Sequence, residues 1–344
     1  MARFVRTQEI EHEIGSSGRF ALRVTSPEVH LRAVDGARAV VRVKFELRAG
    51  SEEEADRLLE GVRFTTSASP AGLEVQEPRR GDGGIGAIVR LAGKGSSVAN
   101  VSVSADVPRG AEIAYDGVSA DVRVSGFRGT QQYQTLSGDM ILDHVSGDLR
   151  VRGVSSDVTV RADEPLRLQM NTVSGDVSAL APRFDELRLV TVSGDLELEG
   201  ELAPAIQHRV ETVSGDLSLG VVGGLTLEVR GLSSDTHVSV PHRSEGSRDR
   251  RRYVIGGGEA ALLFSSMSGD VSVHPTRRLA SHPTPPTPPT PPTPPTPPTP
   301  AIPPTPPLNP VAPDEQMTIL RALERGEIDV DEATARLAGR TPDA

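Results

Sequence analysis

The sequence predicts a mainly β protein, a β-solenoid or β-helix-like repeat domain with an N-terminal β cap, a Pro-rich linker and a small C-terminal helical hairpin. Three observations predict it. A tripeptide Ser-(Gly/Ser/Ala)-Asp occurs nine times between Ser119 and Asp270. The residues around it alternate apolar and polar with the period of a strand. The 344 residues contain 34 Gly and 28 Pro but only 3% aromatics and no Trp, a composition that suits a thin, turn-rich β structure better than a thick core.

The tripeptides begin at Ser119, Ser137, Ser146, Ser155, Ser174, Ser193, Ser214, Ser233 and Ser268, at steps of 18, 9, 9, 19, 19, 21, 19 and 35. Nine is half of 18 and 35 is nearly two steps, so a period of about 19 accounts for the series. The preceding residue is always apolar: Val118, Leu136, Val145, Val154, Val173, Val192, Val213, Leu232 and Met267. Apolar residues alternate after the Asp, as at Leu196 and Leu198, and before it on the opposite parity, as at Leu187, Leu189 and Thr191. A one-residue slip at the small-residue–Asp step keeps the core face inward on both sides of a corner. Gly fills the middle position six times, but Ala120, Ser156 and Ser234 fill it elsewhere, which predicts that small size matters more there than positive φ. One corner per coil predicts stacked files, with Thr135, Thr172, Thr191 and Thr212 in one and the Asp residues in another. Eight or so coils at ~4.7 Å per strand would make a rod roughly 40 Å long. An antiparallel meander is the alternative, because nine-residue steps also suit hairpins.

Residues 1–110 lack the tripeptide but alternate similarly, as at Phe20, Leu22 and Val24. They are expected to cap the open edge of the repeat domain, 111–278, and to form one unit with it. One helix interrupts them: Ser51 and Glu54 make a capping box, Leu58, Leu59 and Val62 supply the apolar face, and Gly61 closes the end. Residues 279–313 form the linker, whose Thr-Pro-Pro repeats predict polyproline II with a reach of roughly 75–80 Å over about 25 residues. Residues 314–340 form the hairpin. Met317, Leu320 and Leu323 lie at helical spacing, Gly326 breaks the first helix, Ile328 sits in the turn, and Asp331 caps a second helix carrying Leu337. Some 26 residues bury too little surface to be stable alone, so Leu320, Leu323, Ile328 and Leu337 are expected to contact a protein partner or a second copy.

Composition narrows the function. A net charge of −10 argues against a nucleic-acid partner, which requires a concentrated positive field. The absence of cysteine excludes disulfides and thiolate chemistry. No apolar stretch matches a secretory signal or a membrane span, so the expectation is a cytoplasmic protein without a membrane span.

Asp139, Asp148, Asp176, Asp195, Asp216 and Asp270 are read as structural turn residues that accept hydrogen bonds from turn N–H groups. A Ca²⁺ row is the competing reading, but one Asp per coil supplies too few oxygens. The Ser and Thr files are read as inward-facing hydroxyls satisfying one another rather than a glycan surface. Gly81-x-Gly83-x-x-Gly86 formally matches a dinucleotide fingerprint, but a strand-like segment follows it and offers no helix N-terminus. His237 and His242 flank a Pro and lack a third metal ligand. Arg248 and Arg250–Arg252 read as a solvated basic loop. No catalytic residues, cofactor, metal or small-molecule substrate are inferred, because every candidate Ser and Asp recurs as structure.

The Val-Ser-Gly-Asp-Leu repeats, together with Val107-Pro108-Arg109-Gly110 just before them, resemble the bacterial β-strand-repeat family DUF4097, whose members are also labelled candidate adhesins. The likeness covers roughly residues 15–275. The tail, Leu320-x-x-Leu323-x-x-Gly326-x-Ile328 followed by Glu332, Ala333 and Leu337, is similar to the short SHOCT-like bihelical module attached to such proteins. The resemblance implies a solenoid-like fold without established catalysis, and for some relatives a link to envelope-stress signalling. The leading expectation is a non-enzymatic scaffold or interaction protein. The alternatives are an adhesin and a carbohydrate-processing β-helix enzyme, the latter disfavoured by the low aromatic content.

Overall fold

The computed structural model describes residues 2–78, 97–204, 206–233, 235–247 and 250–276. The chain divides into two units at His282/Pro283, and all described residues belong to the first. The expected linker (279–313), the expected hairpin (314–340) and the Gly81–Gly86 motif lie outside the described residues.

The described part is mainly β. Its strands follow the alternation in the sequence: in β2 (Arg19–Val24), Phe20, Leu22 and Val24 are buried between exposed or half-buried neighbours. A rung consists of a strand, the small-residue–Asp corner and a second strand. The first is β8 (Glu112–Ser119) followed by β9 (Val122–Ser125). The next begins with β10 (Thr130–Ser137) and continues into β11 (Met140–Arg152). β11, β12 (Val158–Asn171) and β13 (Val177–Val190) each run over a second, opposite corner into the following rung. β14 (Leu196–Leu202), β15 (Gln207–Glu211) and β16 (Leu217–Val222) continue the stack.

Neighbouring rungs pair in parallel on both faces: β8–β10–β11–β12–β13–β15 on one and β9–β11–β12–β13–β14–β16 on the other. The stack is therefore not an antiparallel meander. Inward side chains of the two faces, such as Leu149, Leu168 and Leu187 from one and Val158, Val177 and Leu196 from the other, belong to one continuous core.

Both ends depart from sequence order. β17 (Leu225–Ser233) and β18 (Thr236–Val238) form the terminal rung. The later strands β21 (Ala260–Ser268) and β22 (Val271–Pro275) insert between that rung and β15/β16. This insertion produces the 35-residue step: the excursion is an antiparallel hairpin, β19 (His242–Ser247) and β20 (Arg250–Ile255), whose second strand pairs with β17. Arg250–Arg252 thus lie in a strand rather than a loop, with Arg250 Nε 2.7 Å from Glu228 Oε1.

At the other end, β2 and β3 (Glu28–Val34) insert between β8/β9 and the pair β6 (Gly72–Gln76) and β7 (Ser97–Pro108). The 1–110 region is therefore only partly a cap. Its antiparallel strands β1 (Ala2–Glu13), β4 (Arg38–Ala49) and β5 (Thr65–Ser69) cover the edges, while β2, β3, β6 and β7 are rungs of the ladder.

The helix α1 (Glu52–Val62) packs Ala55, Leu58 and Val62 into the core. Ser51 Oγ accepts the Glu54 N–H at 3.3 Å, and Glu54 Oε2 accepts the Gly50 N–H at 2.8 Å, one residue before the cap. Gly61 lies inside the helix, and Arg63 ends it. Among the described residues no helix is long and apolar enough to cross a membrane.

Candidate functional site

The corner repeated in every rung concentrates the polar groups. Eight aspartates form one row, in the order Asp121, Asp139, Asp157, Asp176, Asp195, Asp216, Asp270 and Asp235. Their carbonyls accept, in turn, the N–H groups of Val29, Val122, Met140, Val158, Val177, Leu196, Leu217 and Val271. In six steps of the row the Oδ1 of one Asp also accepts the N–H of the next, for example Asp195 N–H to Asp176 Oδ1 at 2.9 Å and Asp216 N–H to Asp195 Oδ1 at 3.1 Å. Each of these carboxylates thus uses one oxygen to join two rungs rather than to close its own turn. The aspartates of the row are exposed, and among the described residues no Lys or Arg forms a salt bridge with the row.

Asp148, expected in the same row, is elsewhere. Its tripeptide lies in β11 on the opposite corner, where Asp148 pairs with Thr130 and Arg167. There Ser146 donates its N–H to the Phe127 carbonyl, and its own carbonyl accepts from the buried Gln131 amide at 3.0 Å. The nine-residue steps therefore mark half-turns of the coil.

The Thr file is buried as expected, but its hydroxyls do not satisfy one another. Thr135, Thr172 and Thr191 donate to the carbonyl two residues on, at 2.8, 3.3 and 3.1 Å, and Thr212 Oγ1 has no partner. The mutual contacts belong to surface serines, Ser137 to Ser119 at 3.1 Å and Ser174 to Ser155 at 3.3 Å. The six glycines of the tripeptides all have positive φ, whereas His144 is the only non-Gly residue with positive φ among those described. Backbone conformation therefore matters as well as size, and Ala120 and Ser156 occupy a different variant of the corner.

A groove of about 750 Å³ runs along this corner. One side is the Asp row from Asp157 to Asp235; the other carries Thr159, Ser178, Glu197, Ser218, Ser272 and His237, with Arg251 of β20 joining at the terminal rung. Ser218 Oγ lies 3.1 Å from His274 Nε2. His242 contacts the Val240 carbonyl at 2.9 Å and stacks edge-on to Tyr253. Among the described residues no group of three or more His, Cys, Asp or Glu converges on a point where a metal could sit. The arrangement can offer a linear array of carboxylates and hydroxyls; its Ser218–His274 pair stands apart from the repeat, but His274 Nδ1 lies against the Pro275 carbonyl at 3.1 Å rather than against a carboxylate that would orient it as a base.

The other expected site residues, Leu320, Leu323, Ile328 and Leu337, lie outside the described residues. The sequence reading did not assign a side to the apolar residue before each tripeptide. The structure turns Val118, Leu136, Val154, Val173, Val192, Val213 and Met267 outward. The signal was available: strict alternation from an inward Thr172 requires an outward Val173.

The family model described as Toastrack DUF4097 matches residues 73–274. No curated protein matches the chain. Among solved structures, a candidate lipid-binding protein from Parabacteroides distasonis superposes with a TM-score of 0.48 at 12% identity, covering 78% of this chain and 96% of that one. A candidate cell-adhesion protein from Clostridium sporogenes gives 0.26 at 9% identity, covering 78% and 99%. A candidate adhesin from P. distasonis gives 0.24 at 8%, covering 78% and 97%.

Proposed function

The chain belongs to the Toastrack DUF4097 family, and from that premise we propose that it is a non-enzymatic scaffold, a β-solenoid whose repeated faces hold a macromolecular partner. The observation that carries this reading is the Asp row. Six of its eight carboxylates, the most reactive-looking groups of the repeat, are committed to joining rungs in the same setting. Catalysis needs groups whose environments differ, so that one acts as acid and another as base; a ladder of equivalents provides no such difference. A periodic surface instead favours many weak, equivalent contacts with something extended.

In this reading the C-terminal segment 314–340 is a SHOCT-like module that self-associates or docks through Leu320, Leu323, Ile328 and Leu337. Light scattering of the full chain against the Leu323→Asp, Leu337→Asp variant tests the module. The expected result is a larger mass for the unaltered chain; equal masses and equal partners overturn that role. Turnover of any oligosaccharide that disappears in Asp195→Asn would overturn the non-enzymatic reading.

A further inference from the structure

Resting on the scaffold reading, we propose that the outward apolar file and the Asp row beside it form one docking track for a basic amphipathic helix of a protein partner. The two files are independent features of the same corner. The apolar file runs without interruption from Val118 to Met267, because the serine N–H after an apolar residue bonds the carbonyl of its counterpart in the preceding rung, as in Ser155 to Leu136, Ser174 to Val154 and Ser268 to Val213. Its side chains are between 39% exposed, at Val118, and 57% exposed, at Met267. Side chains stacked on identical neighbours bury part of their surface within the file. What remains is a strip on the order of 500 Å², the size of the largest apolar patch on a typical monomer, which is often a functional surface.

The Asp row determines what covers that strip. Its charges repeat at about 4.8 Å, the spacing of paired strands, and among the described residues none of them is salt-bridged to Lys or Arg, Arg251 approaching only at the terminal rung. Two like charges at ~4 Å repel by about 1 kcal/mol even in bulk water. A cationic partner relieves that repulsion and covers the apolar strip at the same time. A second copy brings another row of eight aspartates against the first. The segment from Asp314 onward carries 8 acidic against 4 basic residues, so it adds repulsion as well. Charge thus disfavours a second copy docked row against row and the acidic C-terminal segment, Arg251 of β20 reaching the row only at its terminal rung. An α-helix advances 5.4 Å per turn, close to the rung spacing, so one apolar stripe can follow the valine file while an adjacent Lys or Arg stripe follows the carboxylates. Seven rungs correspond to about 20 helical residues.

The test uses the full chain and a labelled peptide of about 20 residues with Leu on one helical stripe and Lys on the next, followed by fluorescence anisotropy. Controls are the same composition scrambled and the same pattern with Glu for Lys. Two variants probe the track: Leu136→Ser with Val173→Thr, and Asp176→Asn with Asp195→Asn, the latter keeping each Oδ1 acceptor. Saturable binding of the patterned Lys peptide, weakened about tenfold or more by either variant and absent in both controls, supports the proposal. Equal binding of the scrambled peptide reduces the effect to plain charge attraction and overturns it, as does indifference to both variants. A change of mass on Leu136→Ser assigns the strip to a second copy, and loss of phosphatidylcholine-vesicle binding in that variant assigns it to lipid; either result overturns the proposal. The mass comparison with Leu323→Asp, Leu337→Asp is separate, so the track can fail while the scaffold reading stands.

Discussion

Gly194 sits at the corner with φ +118, and a Cβ added to it would lie 2.2 Å from the Gly175 carbonyl oxygen of the preceding rung. Conformation and contact both demand glycine, so Gly194→Ala should cost about 2–4 kcal/mol, read as a fall in the urea midpoint. Ala120→Gly should cost at most about 1 kcal/mol, because Ala120 does not have positive φ. The neighbouring Asp offers a sharper contrast. Asp195→Ala orphans the Asp216 N–H and should destabilise by about 1 kcal/mol, whereas Asp195→Asn retains the acceptor and should be nearly silent in the same titration. His208 is a third case. It is fully buried; Nδ1 accepts the Leu187 N–H at 3.1 Å and Nε2 donates to the Ala203 carbonyl at 2.9 Å. Burial pushes its imidazole below the ordinary histidine range, against the opposing pull of the Ala203 carbonyl and the Glu186 carboxylate. The folded state therefore favours the neutral ring. Its stabilising contribution is complete above the unfolded value of 6.5 and is lost as pH falls through the folded value. Denaturation from about pH 8 to about pH 5 should show this slope, and His208→Phe should remove that part of it.

At the scale of elements, the helix and the terminal hairpin contribute in different ways. α1 starts at an N-cap whose serine accepts one of the first N–H groups, so Ser51→Ala should lower stability by about 1 kcal/mol, visible as a lower thermal midpoint. The β19–β20 hairpin matters differently. β20 pairs along β17 from Leu225 to Arg230, and without it that strand presents a row of unpaired backbone groups, the template on which β proteins associate. Replacing residues 242–255 by a short Gly-Ser link should convert the protein into concentration-dependent oligomers in sedimentation. An unchanged monomer-to-oligomer balance would show that the hairpin does not protect the edge.

At the scale of the molecule, rungs contact chiefly their neighbours, so stability is shared along the stack and is least at its ends. Amides of β12 and β13, paired on both sides, should exchange most slowly with deuterium. Those of β1 and β18, each paired on one side, should exchange first. Uniform exchange would contradict a ladder stabilised rung by rung.

The sequence by itself determined the β content, the period near 19, the inward side of strands such as β2 and β14 and the common row of most aspartates. These are local properties: alternation and small corner residues repeat in register with the backbone. It also held the outward placement of Val173 and its equivalents, through parity. Only the tertiary structure decided that Asp148 lies on the opposite corner, that six carboxylates of the row bond the next rung and not their own turn, and that the last tripeptide precedes the eighth in space. Those outcomes depend on which strand edges meet. A strand carries the same alternating pattern whichever neighbour it pairs with, so strand order is set by the competition of whole edges for partners and leaves no trace in any single segment.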